Sequence, residues 1–468
     1  MTGQHLEPAV HEAIERACEL FRAPLAEPVR THTVHVVADV IGVSIAGGRT
    51  PEMTRLRGDD LDPPATADPV SGEWSYRTTR HSRVSAGGAT VWAAGAAPTD
   101  AEQAAFLNAS AGSFLELDEG MRPTGHPGMH VVPAALAAAE VAHRSGTELL
   151  AAVVAGYDVA ARLLTAFRLV PPTHPHGHLA GVGAAVAVAL LLDEDPATIA
   201  GIAATTPTVP VWDACYAGAT ARNIAMGLAA QNAVRAVRLH RAGFRGSLAS
   251  VGALFGQVAG EPADLGALTE PADPARPAIL RNYFKRHSAC ALTHAAIDAV
   301  LALPPLPIDT VQAVEVHTVS NNLKLDRQPA PNDLSARFSL PYAVAAALTS
   351  RGGEPAGFDY SPAVARLAKR VTVTADPELE ARWPEHSPAR VVVHAGRRLE
   401  SSVDDPRGHH HDPMTPDELR GKFLSLAGPP GPALWQRLLE LPGLIDCARL
   451  LAPLCTPATA GNEGLTRA

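Results

Sequence analysis

Two alanine-rich segments, Ala104-Ala-Phe-Leu-Asn-Ala-Ser-Ala111 and Val131-Val-Pro-Ala-Ala-Leu-Ala137, read as buried helices. Between them lies the stretch Glu116-Leu-Asp-Glu-Gly-Met-Arg-Pro-Thr-Gly-His-Pro127. Carboxylates, an arginine and a histidine set against a core must be paired or kept wet at the bottom of a pocket. The consequence is a polar loop pinned between helices on both sides.

The apolar fraction is 46% with only 4% aromatic, so the core is built from Ala, Val and Leu, and helices can approach closely. A chain of 468 residues exceeds one ordinary hydrophobic core, and two domains are expected. The net charge of -9 and the absence of a basic block argue against nucleic acid as a partner. Arginine displaces lysine almost everywhere, leaving Lys285, Lys324, Lys369 and Lys422. Five scattered cysteines without a C-x-x-C pair suggest neither disulfides nor a zinc site. The N-terminus shows no targeting pattern, and the apolar run from Val182 to Leu192 is too short to span a bilayer, so a cytoplasmic protein with no membrane association is expected.

Helical periodicity covers residues 8–47, and an acidic, proline-rich stretch over 52–82 reads as an exposed loop. Pro98-Thr-Asp-Ala-Glu102 has the form of a capping box with Thr99 as N-cap. Further helices are expected at 131–142, 147–167, 181–192, 196–205, 220–241 and 290–303. Near residue 308 the period changes. Strands are expected over 311–319, 370–374 and 390–399, the last turning as a hairpin at Ala395-Gly396, with helices at 341–351 and 361–369 among them. Thr415-Pro-Asp-Glu418 opens a helical tail with a second capping box. The expectation is a mostly α protein. Residues 1–275 and 405–468 form a large all-helical domain, and 276–404 form an inserted, smaller α+β lid.

Taken singly, the reactive residue types have ordinary readings. His126 at a helix entrance suits a cap, Glu116, Asp118 and Glu119 suit a solvated turn, and His409-His-His411 suits an exposed loop. His174, His176 and His178 alternate with Pro and Gly, but no carboxylate or cysteine lies at ligand spacing, so no metal is expected there.

Their order carries more. The 104–111 segment, the Glu-Leu-Asp, Gly-His-Pro and Val-Val-Pro-Ala-Ala-Leu-Ala segments, Val154-Ala-Gly-Tyr-Asp-Val-Ala-Ala-Arg162, His174-Pro, Met226-Gly-Leu-Ala-Ala-Gln-Asn232, Thr293-His-Ala-Ala-Ile-Asp298 and Phe338-Ser-Leu-Pro-Tyr-Ala-Val344 together resemble the signature of the MmgE/PrpD family. That family includes 2-methylcitrate dehydratase, cis-aconitate decarboxylase and iminodisuccinate epimerase. The resemblance implies a homodimer with its site in the cleft between domain and lid, working without metal or organic cofactor.

Carried over by position, the resemblance implies catalytic roles for His126, His174, Asp118, Lys285 and Tyr342. It places Arg222, Glu116, Gly120, Cys290 and Arg286 beside a small carboxylic acid substrate. Two departures stand out: Arg222 replaces a lysine and can bind but not shuttle protons, and Gly120 replaces a threonine, which suggests room for a different or larger acid. A proton beside a carboxylate needs a base to take it and cations to stabilise the resulting enolate-like charge. The expected activity is a cofactor-independent hydro-lyase acting on a β-hydroxy acid. A decarboxylase, an epimerase, a non-catalytic binding subunit and, more distantly, a metal-dependent hydrolase are the alternatives.

Overall fold

The computed structural model describes residues 3–58, 88–123, 125–350 and 359–455. The protein is mostly α, with an α+β region following the long helices. Helix Leu179–Leu191 is apolar on every side, and such a helix is stable only when surrounded by others. It packs against Gly146–Ala166, Pro127–Val141, Pro196–Thr205 and Ile224–Arg241. Helix Gly146–Ala166 is long and apolar enough to cross a membrane, but it lies buried in this core.

Small residues set how close these helices come. A Cβ at Gly156 would stand 2.6 Å from the Gly183 carbonyl oxygen, and one at Gly183 would stand 2.2 Å from that of Gly156. The two backbones touch there, which explains how a core poor in aromatics reaches native density. The C-terminal helices Pro416–Ala427 and Gly431–Leu439 pack on Glu27–Gly47 and add Phe423, Leu434 and Trp435 to the same core.

A second core lies under a four-stranded sheet. Its strand order is Val371–Ala375, Ala313–Thr318, Ala389–His394, Arg398–Val403, the first pair parallel and the others antiparallel. Helices His294–Leu301, Leu340–Thr349 and Pro362–Ala368 share that core. The hairpin turns through Gly396, whose φ of 70° suits glycine.

Two local expectations are corrected. Asp100, not Thr99, caps helix Ala101–Gly112 by accepting from the Gln103 N–H. Glu102 instead turns to Arg235 and Arg238, at 3.0 and 2.6 Å. The stretch 52–82, read as a loop, begins within helix Pro51–Gly58, while residues 59–82 lie outside the described residues.

One buried carboxyl ties the polar loop to the helices. Glu119 Oε1 accepts the Gly128 N–H at the start of helix Pro127–Val141 (2.7 Å), and Oε2 accepts from the Tyr157 hydroxyl (2.9 Å). Burial pushes this carboxyl up to about 8 from its ordinary 4.5.

Replacing Gly183 with Ala is expected to destabilise the protein by about 1–3 kcal/mol in chemical denaturation, because the backbone of the facing helix cannot yield locally. Between about pH 4.5 and 8 the folded state retains a Glu119 proton that the unfolded chain has released, so this group makes stability fall as pH rises through that window. Urea denaturation at several pH values is expected to give a flatter profile for Glu119→Gln than for the parent. An equally steep profile would rule the carboxyl out as its source.

Candidate active site

Helix Ala101–Gly112 delivers the chain into the polar loop, where Ser113 Oγ donates to the Asn223 carbonyl (2.8 Å) and holds the loop against the helix that follows Arg222. Glu116 takes left-handed backbone, with φ of 50°, which is uncommon outside glycine. Its two carboxylate oxygens account for this. Oε1 lies 2.6 Å from Arg222 Nη1, and Oε2 lies 3.1 Å from Lys285 Nζ. The short strand Gly120–Met121 pairs with Asn282–Tyr283 and brings Lys285 alongside.

Asp118 completes the group. Lys285 Nζ reaches its Oδ1 at 3.0 Å, and His126 Nδ1 reaches its Oδ2 at 2.7 Å. Burial alone would raise the Asp118 carboxyl, but His126 and Lys285 outweigh it and hold the group well below the usual carboxylate range. Glu116 is likewise lowered, as Arg222 and Lys285 overcome its burial. Burial would lower Lys285 and Arg222, yet these carboxylates raise both above their ordinary values. Lys285 and Arg222 therefore remain protonated, and their charge is already matched inside the protein.

His126 Nδ1 also lies 2.8 Å from the Glu119 carbonyl oxygen. With two acceptors facing Nδ1, that nitrogen is the donor, and Nε2 is the ring nitrogen outside these contacts. His126 borders a cavity of about 270 Å³ whose wall also includes Glu116, His174, His176, Tyr283, Cys290, Arg122, Lys324, Trp212 and Phe338. His130, four residues along the helix, fixes both histidine-bearing segments. Its Nδ1–H donates to the His126 carbonyl (2.7 Å), and its Nε2 accepts the Gly177 N–H (2.8 Å). Burial brings His130 down to about 4, so it stays neutral in this bridging role.

His174 and His176 differ from His126. Each Nε2 stands 3.5 Å from Arg222 Nη2, and burial together with that guanidinium lowers both rings well below the ordinary histidine value. They are neutral near pH 7. Their Nδ1 atoms are buried, with no hydrogen-bond partner among the described residues.

Two cations of the wall lack what Arg222 and Lys285 have. Arg122 donates from Nη2 to Ser387 Oγ (3.0 Å) and stacks over Tyr283 and Trp383. Lys324 Nζ donates to Asn321 Oδ1 (2.9 Å) and lies over Trp212. Neither has a carboxylate within ion-pair distance among the described residues, and burial lowers both. Uncompensated cations in a cavity wall form an anion subsite.

Of the residues singled out from sequence, Asp118, Glu116, His126, His174, Arg222, Lys285 and Cys290 come together. Lys285 and Arg222 stand behind the wall rather than in it, and Cys290 contributes a thiol raised by burial, hence a neutral surface. Two residues fall elsewhere, and Gly120 lies beside the wall without the room expected of it. Tyr342 donates to the Asp359 carbonyl (3.0 Å) and accepts the Ser361 N–H (2.7 Å) away from the cavity, where Phe338 of the same motif stands instead. Arg286 does not border the cavity. Gly120 opens no space: a Cβ there would lie 2.3 Å from Tyr283 Oη, so the tyrosine ring fills the missing volume. His409, expected in an exposed loop, is buried.

Sequence reading missed Arg122, Tyr283 and His130. Arg122 and Tyr283 sit inside or beside segments already marked as reactive, and His130 follows His126 at one helical turn.

A family model for the MmgE/PrpD N-terminal domain matches residues 15–258, and one for the MmgE/PrpD C-terminal domain matches residues 287–440. No curated protein matches the chain significantly. With the two matches falling in order and covering most of the chain, the chain belongs to the MmgE/PrpD family.

Proposed function

We propose that the protein is a hydro-lyase that removes water from a β-hydroxy carboxylic acid without a cofactor. The observation that carries this reading is the wall in which a basic imidazole nitrogen, His126 Nε2, shares a small cavity with the uncompensated cations Arg122 and Lys324. Family membership supports a lyase of this kind.

In the proposed reaction Arg122 and Lys324 bind substrate carboxylate oxygens and lower the energy of the enolate-like charge that develops there. His126 Nε2 removes the neighbouring C–H proton. The imidazolium formed is stabilised by Asp118, whose carboxylate stays ionised because Lys285 also holds it. Burial keeps the Tyr283 hydroxyl protonated, and it donates that proton as the C–O bond breaks, so water leaves and a double bond forms. His174 and His176 remain neutral and line the cavity beside Arg222.

Incubation with candidate hydroxy acids in deuterated water, followed by NMR and mass spectrometry, tests the reaction class. Loss of water is expected. Loss of carbon dioxide would identify a decarboxylase, and label uptake with inversion an epimerase, either of which overturns the proposal. His126→Ala is expected to lower kcat by about 10²–10⁴-fold. Arg122→Gln is expected to raise KM and to lower kcat, and an unchanged kcat/KM would remove it from the site.

A further inference from the structure

Outside the cavity, four histidines and two carboxylates gather where the sheet edge meets the segment returning to the helical core. His386 Nδ1 lies 2.6 Å from Asp405 Oδ2, and His411 Nδ1 lies 3.3 Å from the same oxygen. His409 Nδ1 lies 3.3 Å from Asp405 Oδ1, and Glu385 Oε1 lies 3.1 Å from His411 Nε2. Donor atoms of His386, Asp405 and His411 all fall within 4.8 Å of one another, as do those of His409, His410 and His411.

Tetrahedral coordination with bonds of about 2.1 Å sets neighbouring ligand atoms roughly 3.4 Å apart. The separations of 2.6 and 3.3 Å from Asp405 Oδ2 lie just below that value, so the partly exposed His386 and His411 need only swing slightly outward to admit an ion. Outer contacts point the same way. Glu385 Oε1 lies 3.1 Å from His411 Nε2, the ring nitrogen that does not face Asp405. The Ser387 N–H also donates to Asp405 Oδ1 (3.1 Å), the kind of outer hydrogen bond that orients a ligating carboxylate.

We propose that His386, Asp405 and His411 form a binding site for a divalent transition metal, zinc being the best match to mixed imidazole and carboxylate donors, with water completing the coordination. The metal would act as a staple. His386 stands just before strand Ala389–His394, whereas Asp405 and His411 belong to the segment leading back to helix Pro416–Ala427, so one ion joins the sheet region to the chain re-entering the helical core. Ser387 Oγ accepts from Arg122, so the staple also steadies one side of the cavity wall. Neither the site nor its test depends on which reaction the cavity performs.

Protein carrying no histidine tag, stripped of metal, is titrated calorimetrically with zinc chloride and separately with magnesium chloride. Saturable uptake of zinc, absence of a magnesium response and a raised melting temperature with zinc are expected. Cobalt(II) in place of zinc is expected to give the visible absorption bands of a tetrahedral ion. His411→Gln alters a partly exposed side chain and leaves the fold intact, and it is expected to weaken zinc binding by about tenfold or more, as is Asp405→Asn. Failure to bind zinc, or undiminished binding in either variant, would overturn the proposal.

Discussion

Glu116, Asp118, Arg222 and Lys285 place two negative and two positive charges side by side with essentially no contact with water. Each alone would carry a desolvation penalty of several kcal/mol, and only the mutual arrangement makes the group tolerable. The partners come from three distant parts of the sequence. The quartet is therefore a folding condition as much as a site: the polar loop, the start of the helix after Arg222 and the approach to the second core must all arrive together. The strained backbone of Glu116 persists because both of its oxygens are claimed.

A division of labour follows from that arrangement. Arg222 and Lys285, paired with carboxylates, build the floor, whereas Arg122 and Lys324, with no carboxylate at ion-pair distance among the described residues, have only neutral hydrogen-bond partners. The histidines separate in the same way. His126 rests on a carboxylate that welcomes an added proton, whereas His174 and His176 face a guanidinium that repels one. The imidazoles of one cavity thus sit in different electrostatic settings, fixed by which charge each of them faces.

Much of the fold was legible in the sequence because periodicity is local. The change of pattern near residue 308, the capping box at Thr415 and the glycine turn at residue 396 each depend on a few neighbouring residues. The site was legible only as a set of clusters. Residue types showed that Lys285 and Arg222 belong near carboxylates, but not that those carboxylates are the protein's own, since pairing is decided by segments more than a hundred residues apart. Tyr342 and Phe338 show the same limit. They share one motif, and the helix beginning at Leu340 turns the tyrosine away while Phe338 stays beneath Arg222. Asp100 outcompeted Thr99 as a cap because Glu102, needed to complete the box, was drawn to two arginines of another helix.

The contact between Gly120 and Tyr283 has a bearing on how such a site changes over time. With the phenol ring where a side chain at residue 120 would begin, the two positions cannot vary independently. A threonine introduced at residue 120 collides with the ring unless residue 283 has already become smaller, while a smaller residue at 283 beside Gly120 leaves a void. A Cβ at residue 120 would also stand 2.7 Å from the Gly125 carbonyl oxygen, so shrinking residue 283 alone does not admit it and the loop backbone must shift as well. Any mutational path through this position therefore couples the ring and the loop, a form of epistasis written into van der Waals contacts.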